Sequence, residues 1–146
     1  MIYLLDINVL IALAWPSHIH HAAARKWFTK KGAHGWATCP MTQCGFIRIS
    51  ANSRIIADAV SPGEAHNMLT AMTSHKGHTF WPDTFDITNE KFNALLIAGH
   101  RQVTDAYLLL LTASNKGLLA TFDQSIVHII SMENDKPAPV ELLHTN

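Results

Sequence analysis

A short apolar run at the start of the chain ends at an acidic residue. Residues 2–5 are all apolar and predict a strand that is buried on both faces, and Asp6 stands where that strand must end. The apolar run at residues 118–122 also stops at an aspartate, Asp123, and Asp105 comes at the start of a long apolar helical segment. Because an unpaired buried carboxylate is costly, acids at the borders of core elements need a physical reason.

Local signals along the rest of the chain alternate between helix and strand. Pro16 ends the first helix, Ser17 is placed to cap the second, and residues 61–64 (Ser-Pro-Gly-Glu) form a capping box with proline at the first helical position. Thr88 and Thr104 are expected to cap two later helices. The predicted strands are 2–5, 35–38, 79–81, 118–122 and 140–143, and the predicted helices are 7–14, 18–31, 41–53, 62–75, 88–99 and 104–117.

Strands that are separated by helices need crossover connections, which give parallel strands with helices packed on the sheet. We therefore predict an α/β fold with a central parallel sheet of about four to five strands flanked by helices. The length of 146 residues suits one domain, residues 1–146. An apolar share of 48% with only 15% charged residues excludes a disordered chain.

Composition also limits the compartment and the partners. No apolar run reaches the roughly 18 to 20 residues of a membrane span, and the N-terminus lacks the basic segment and cleavage site of a signal peptide. We therefore expect a cytoplasmic protein with no membrane partner, in which Cys39 and Cys44 are reduced thiols. The net charge is zero with histidine neutral, so binding to nucleic acid needs a local basic patch or another chain.

The three aspartates are expected to meet at one edge of the sheet. In open α/β sheets, ligands bind beyond the carboxyl ends of the strands, where Asp6, Asp105 and Asp123 are expected to lie. Carboxylates suit Mg²⁺ and Mn²⁺, hard cations that also keep several waters. Such an ion polarises a phosphodiester oxygen and lowers the pKa of a bound water. Each acid also has a simpler interpretation: Asp6 as a helix cap, Asp105 as a first-turn residue and Asp123 as a turn residue.

Three segments carry a resemblance to a known family. Residues 4–10 (Leu-Leu-Asp-Ile-Asn-Val-Leu) resemble the opening motif of the PIN domain family, and residues 103–109 and 119–123 resemble its third and fourth motifs in the expected order. The resemblance spans roughly residues 1–125 and is closest to the VapC-type toxins of bacterial toxin–antitoxin pairs. It implies a single PIN-like nuclease domain that cleaves RNA as a Mg²⁺- or Mn²⁺-dependent endoribonuclease, forms a homodimer and is neutralised by a cognate antitoxin.

The resemblance assigns Asp6, Asp105 and Asp123 to metal-binding and catalytic positions, and Gln43 to a fourth catalytic position with a difference. The family's second motif usually carries a glutamate where Gln43 stands. An amide oxygen accepts hydrogen bonds but brings no negative charge and takes no proton near neutral pH, so a second metal is expected to bind weakly. The alternative is a catalytically weakened PIN-like module that acts mainly as an antitoxin-binding or regulatory partner.

Further polar residues are candidates for substrate binding. Arg48 and Arg101 are candidate phosphate contacts because guanidinium groups bind phosphate well. For Arg48 a plain surface role is the favoured interpretation, whereas for Arg101 pairing with the acids is as well supported as phosphate binding. Asn8 is placed to orient a ligand or to cap a helix. His18 and His21 are spaced three apart, which permits a shared metal ligand, although a solvated helix face is the favoured interpretation.

Overall fold

The computed structural model describes residues 1–93, 97, 99–129 and 137–145. Within these residues, the strands are β1 (Tyr3–Leu5), β2 (Trp36–Thr38), β3 (His78–Phe80), β4 (Leu118–Thr121) and β5 (Val140–Leu142). The α-helices are α1 (Ile7–Ala14), α2 (His21–Lys30), α3 (Pro40–Ser50), α4 (Pro62–Thr73), α5 (Glu90–Asn93) and α6 (Val103–Ser114). Short 3₁₀ helices cover Gly32–His34, His100–Gln102 and Gln124–His128.

The five strands form one parallel sheet in the order β3-β2-β1-β4-β5. This confirms the predicted α/β fold with a parallel central sheet. The central strand, β1, pairs with β2 and β4, and its Leu4 lies opposite Ala37 on one side and Leu119 on the other. Because all strands point the same way, the residues that follow β1 and β4 lie side by side at the carboxyl edge of the sheet.

Successive side chains of the central strand point to opposite faces of the sheet and pack into two separate hydrophobic cores, as expected for a strand that is buried on both faces. Leu4 packs into a core that includes Leu108 and Leu111 of α6, whereas Leu5 packs into a core that includes Leu10 of α1 and Phe46 of α3. All six side chains are fully shielded from solvent. The helices on the two faces therefore cover the sheet and leave its carboxyl edge as the place where polar side chains gather.

A glycine sets the distance between α1 and α3. A Cβ atom at Gly45 would lie 2.4 Å from Cδ1 of Ile7, far inside van der Waals contact. The absence of a side chain at Gly45 thus lets α3 approach the first turn of α1, directly beside the end of β1 that carries Asp6.

Several helix ends differ from the predictions because nearby groups take over the hydrogen bonds. Ser17 does not cap α2, which begins at His21; the preceding residues form a turn in which the His20 amide donates to Nδ1 of His18 at 3.0 Å. Thr104 lies inside the first turn of α6, which begins one residue earlier after a 3₁₀ turn. Strand ends agree with the predictions to within about one residue.

The helix expected to run from Thr88 to Gly99 is short in the described residues. It covers Glu90–Asn93, and residues 94–96 and 98 lie outside the described part. The amide and the hydroxyl of Thr88 both donate hydrogen bonds to Oδ1 of Asp86, at 2.9 and 2.8 Å.

The predicted capping box at the start of α4 is confirmed, since the Glu64 amide donates to Oγ of Ser61 at 3.1 Å and the Ser61 amide donates to Glu64.

Candidate active site

Asp6 is buried at the junction of β1 and α1, where it has two hydrogen-bond donors. Its Oδ1 accepts from the Ile7 amide at 2.7 Å, which makes it the cap of α1, and its Oδ2 accepts from the Thr121 hydroxyl at 2.8 Å. The side chain is only 7% exposed. Burial raises the pKa of Asp6, the bonds from Thr121 and Ile7 oppose that rise, and repulsion by Asp123 adds to it. The cap and the site residue are therefore the same carboxylate.

Asp105 lies in the first turn of α6 and is half-buried. Burial is the main cause that raises its pKa to about 6, and repulsion by Asp6 and then by Asp123 raises it further. The first-turn position by itself favours a negative charge, so the raised pKa reflects the surroundings of Asp105 and not its place in the helix. The three acids predicted from the sequence act on one another electrostatically.

Asp123 follows β4 and is exposed. Its Oδ1 accepts from the amide and the hydroxyl of Ser125, at 2.9 and 2.7 Å, so it also caps the short 3₁₀ helix that follows. The Asp123 amide donates to Oγ1 of Thr121 at 3.1 Å. Thr121, which the sequence did not single out, thus connects the backbone at Asp123 to the side chain of Asp6.

The chemistry of this acidic edge fits a hard cation. Asp6 and Asp105 both have pKa values raised by burial, and the mutual repulsion of the carboxylates is what a divalent cation would relieve. The described residues contain no group of three acidic, histidine or cysteine side chains arranged closely enough to enclose an ion. An ion at this edge would therefore be held by few carboxylate oxygens, and waters would complete its shell, as Mg²⁺ prefers.

Gln43 lies in the first turn of α3, which begins at the carboxyl end of β2. Its Nε2 donates to the Thr38 hydroxyl at 3.1 Å, and that hydroxyl is 2.7 Å from Nε2 of His78. Within the described residues, no hydrogen bond joins Gln43 to an aspartate, and the Gln43 amide is instead connected to β2 through Thr38 and to β3 through His78. Thr38, Thr121 and His78 are not among the residues predicted from the sequence. A signal was present for the two threonines, since each is the last residue of a strand at the edge that carries the acids.

The predicted substrate contacts occupy different places. Asn8 is exposed on the first turn of α1, and Arg101 is exposed in the 3₁₀ turn that leads into α6. Arg48 is exposed in the last turn of α3, at the end away from Gln43. No ion pair joins either arginine to an aspartate among the residues described. All three remain predictions as substrate contacts.

The histidines around the start of α2 have partners within the chain. Nδ1 of His21 is hydrogen-bonded to the Ala12 carbonyl at 2.7 Å, and the His20 ring packs on Phe122 with 4.8 Å between ring centres.

The two cysteines are free thiols, as predicted, with Cys39 buried and Cys44 exposed. None of the described helices is long and apolar enough to cross a lipid bilayer.

Comparison with known proteins shows the family of the chain. The model of the PIN domain family matches residues 3–130. Ribonuclease VapC39 from Mycobacterium tuberculosis is 47% identical over 127 residues, which cover 86% of this chain and 91% of that protein. Ribonuclease VapC38 from the same organism is 43% identical over 141 residues, or 96% of each chain.

A solved structure matches the fold over almost the whole chain. It is a chain of the crystal structure of VapBC2 from Rickettsia felis bound to a DNA fragment from their promoter, with a TM-score of 0.61 at 13% identity, and the match covers 99% of this chain and 100% of that one. At this identity the likeness concerns the fold alone. The family match and the identities above go further, and they establish that the chain belongs to the PIN domain family, among the VapC-type ribonucleases.

Proposed function

We propose that this protein is a metal-dependent endoribonuclease toxin that hydrolyses RNA phosphodiester bonds with Mg²⁺ or Mn²⁺. The observation that carries the proposal is the joint action of Asp6, Asp105 and Asp123 at the carboxyl edge of the sheet, where burial and mutual repulsion raise the pKa of Asp105 to about 6. Acids that destabilise one another at a site where ligands bind are typical of a functional centre. The names of the ribonuclease relatives support the choice of substrate.

The three carboxylates differ in how firmly they are held. Two hydrogen bonds hold the Asp6 carboxylate in one orientation. The position of Asp105 is determined by the first turn of helix α6. Asp123 is exposed and is free to turn one oxygen toward an ion while the other stays with Ser125. A bound Mg²⁺ or Mn²⁺ supplies a Lewis acid for the phosphate and lowers the pKa of a water. The three carboxylates of the chain would supply the negative charge that attracts the ion and would determine where it binds.

Three residues are proposed to contact the RNA. The chain carries no net charge, so contact with the RNA backbone falls to individual residues near the acids. Asn8 and Arg101 lie on the first turn of α1 and just before α6, the elements that carry Asp6 and Asp105, and we assign them to phosphate or ribose groups beside the cleaved bond. Arg48 is assigned to RNA farther from that bond, since it lies at the far end of α3.

We further propose a cognate antitoxin as the inhibitor, a homodimer as the active form and the cytoplasm as the location. The antitoxin follows from the toxin–antitoxin character of the family and from the fold likeness to a chain of the VapBC2 complex. A homodimer is the form that the family resemblance implies. The cytoplasm is where RNA and a newly made antitoxin are both at hand.

Incubation of the purified protein with total RNA, followed by mapping of the cleaved ends, tests the function. Cleavage should require Mg²⁺ or Mn²⁺, stop on addition of EDTA, and be lost in Asp6→Ala and Asp105→Ala. Asp58→Asn is the matched control, because Asp58 is exposed and outside the acidic edge. Cleavage that survives EDTA or both alanine variants would contradict the proposal.

A further inference from the structure

A buried threonine connects Gln43 to a histidine on the edge strand. The Thr38 side chain has no exposed surface. Its hydroxyl lies 3.1 Å from Nε2 of Gln43 and 2.7 Å from Nε2 of His78. The three residues come from α3, β2 and β3, so the contact depends on the fold and joins residues up to 40 positions apart.

The chemistry of the groups fixes the direction of these bonds. An amide nitrogen only donates, so the Thr38 oxygen accepts from Gln43, and the single hydroxyl proton of Thr38 is left for His78. The Thr73 carbonyl also acts as an acceptor toward the imidazole of His78, which raises the pKa of the ring. Because the Thr38 proton is directed at Nε2, that nitrogen accepts, and the proton of the neutral ring sits on Nδ1.

The opposite direction would need a charged ring or the loss of a contact. If the Gln43 oxygen faced Thr38, the hydroxyl would donate to Gln43 and Nε2 of His78 would have to donate to Thr38, so the ring would either carry protons on both nitrogens or give up its contact with the Thr73 carbonyl. Burial lowers the pKa of His78, and repulsion by His75 lowers it further against the opposing effect of the Thr73 carbonyl, so the neutral ring is the stable form near neutral pH. His78 on β3 thus favours a hydrogen-bond donor at position 43.

We infer that His78, acting through Thr38, is a positioning residue that selects an amide instead of a carboxylate at position 43. Its catalytic meaning rests on the proposed function: with the nitrogen of Gln43 bound to Thr38, the oxygen is the end left for water or RNA. A glutamate at this position has no donor, so it would take the one proton of Thr38 and oblige Nε2 of His78 to become a donor. The glutamine is therefore matched to its own surroundings, and the glutamate typical of the family would not be.

The proton positions on His78 are measured directly by nitrogen NMR of the ¹⁵N-labelled full chain. The wild-type ring should carry its proton on Nδ1 and leave Nε2 unprotonated. In Gln43→Glu the Thr38 proton turns to the carboxylate, so Nε2 of His78 should become protonated. The exposed His66 is the internal reference and should not change. A wild-type ring with its proton on Nε2, or an unchanged ring in Gln43→Glu, would overturn the inference.

A double-mutant cycle tests the selection itself. Phenylalanine at position 78 keeps a ring against Trp36, whose ring centre lies 4.7 Å from that of His78, but it does not compete for the Thr38 proton. Gln43→Glu should slow RNA cleavage about tenfold in the wild-type background, the effect of one misdirected hydrogen bond. In the His78→Phe background the same change should cost less than about twofold.

The thermal unfolding midpoint of the same four proteins gives a second readout that needs no nuclease activity. Gln43→Glu should lower it clearly in the wild-type background and much less in the His78→Phe background, whereas equal losses in both backgrounds would contradict the selection. Thr79→Val, an exposed neighbour on β3, controls for substitution on that strand. If EDTA leaves cleavage intact, the proposed function fails, while the NMR and unfolding results still decide the role of His78.

Discussion

Thr121 donates its hydroxyl proton to Oδ2 of Asp6 at 2.8 Å and accepts from the amide of Asp123 at 3.1 Å. The first contact joins residues 115 positions apart in the chain. Thr121 itself is fully buried at the end of β4. A single hydroxyl therefore holds one carboxylate of the proposed site and the backbone of another in a fixed relation.

Replacement of Thr121 by valine keeps the shape of the side chain and removes this contact. Asp6 then loses one of the two bonds that lower its pKa, so its pKa should rise further. The free energy of unfolding should fall by about 1–3 kcal/mol, because a buried acceptor is left with fewer partners. Urea unfolding measures the loss, with Thr79→Val on exposed β3 as the comparison. Equal losses in the two variants would show that the hydroxyl contributes nothing specific.

The pH dependence of stability should report the raised pKa of Asp105. In the folded protein this pKa is about 6, against 3.8 for the ordinary side chain, so the folded state binds more protons between these values. Without divalent cations, the stabilising contribution is complete below about pH 4 and is lost as pH rises through about 6. The loss should be about 1 kcal/mol, since solvent screens a half-buried group.

Asp105→Asn checks this assignment in the same unfolding experiments. The variant should lose less stability between pH 4 and 7 and should be more stable than the wild type at pH 7 without metal, because the repulsion on Asp6 and Asp123 is gone. Part of the slope should remain, because the pKa of Asp6 is raised as well. A slope identical to that of the wild type would assign the pH dependence to other groups.

Mg²⁺ should stabilise the folded protein by binding to the acidic edge. A ligand at about 100 times its dissociation constant adds about 2.7 kcal/mol to the free energy of unfolding. Protons compete for the same carboxylates, so the rise in melting temperature should be larger at pH 7.5 than at pH 5, on either side of the pKa of about 6 for Asp105. Asp6→Asn should abolish the rise, and Asp58→Asn should preserve it. A rise that persists in Asp6→Asn would place the ion elsewhere.

Gly45→Ala should disturb the site through the first turn of α1, which follows Asp6. The added methyl group would clash with the Ile7 side chain, so that side chain would have to change its rotamer or helix α1 or α3 would have to move. Overpacking of this kind costs about 1–3 kcal/mol, and displacement of Ile7 also strains its hydrogen bond to Asp6. Cleavage and stability should fall together. Ala51→Gly, just after α3, is the control for an exchange between glycine and alanine near this helix. A Gly45→Ala variant with the melting temperature of the wild type would show that the helices adapt.

Much of the fold follows from local sequence, but the helix ends show the limit. The apolar runs at residues 2–5 and 118–122 located β1 and β4 to within about one residue, because a strand buried on both faces has to be continuously apolar. The capping box at Ser61 was correct because both of its partners lie within three residues of each other. Ser17 and Thr104 failed as caps because a threonine or serine next to a helical pattern is only one of several groups that can start the helix.

The sequence by itself determined the order of strands and helices, the positions of Asp6, Asp105 and Asp123 beside them, and the family that those motifs indicate. Only the tertiary structure decided the partners of these residues: Thr121 for Asp6, Thr38 and His78 for Gln43, and the surroundings that raise the pKa of Asp105 to about 6. The physical reason is that apolar periodicity and caps act over a few residues, whereas burial, repulsion and hydrogen bonds depend on distances between residues that the crossovers of a parallel sheet bring together from far along the chain.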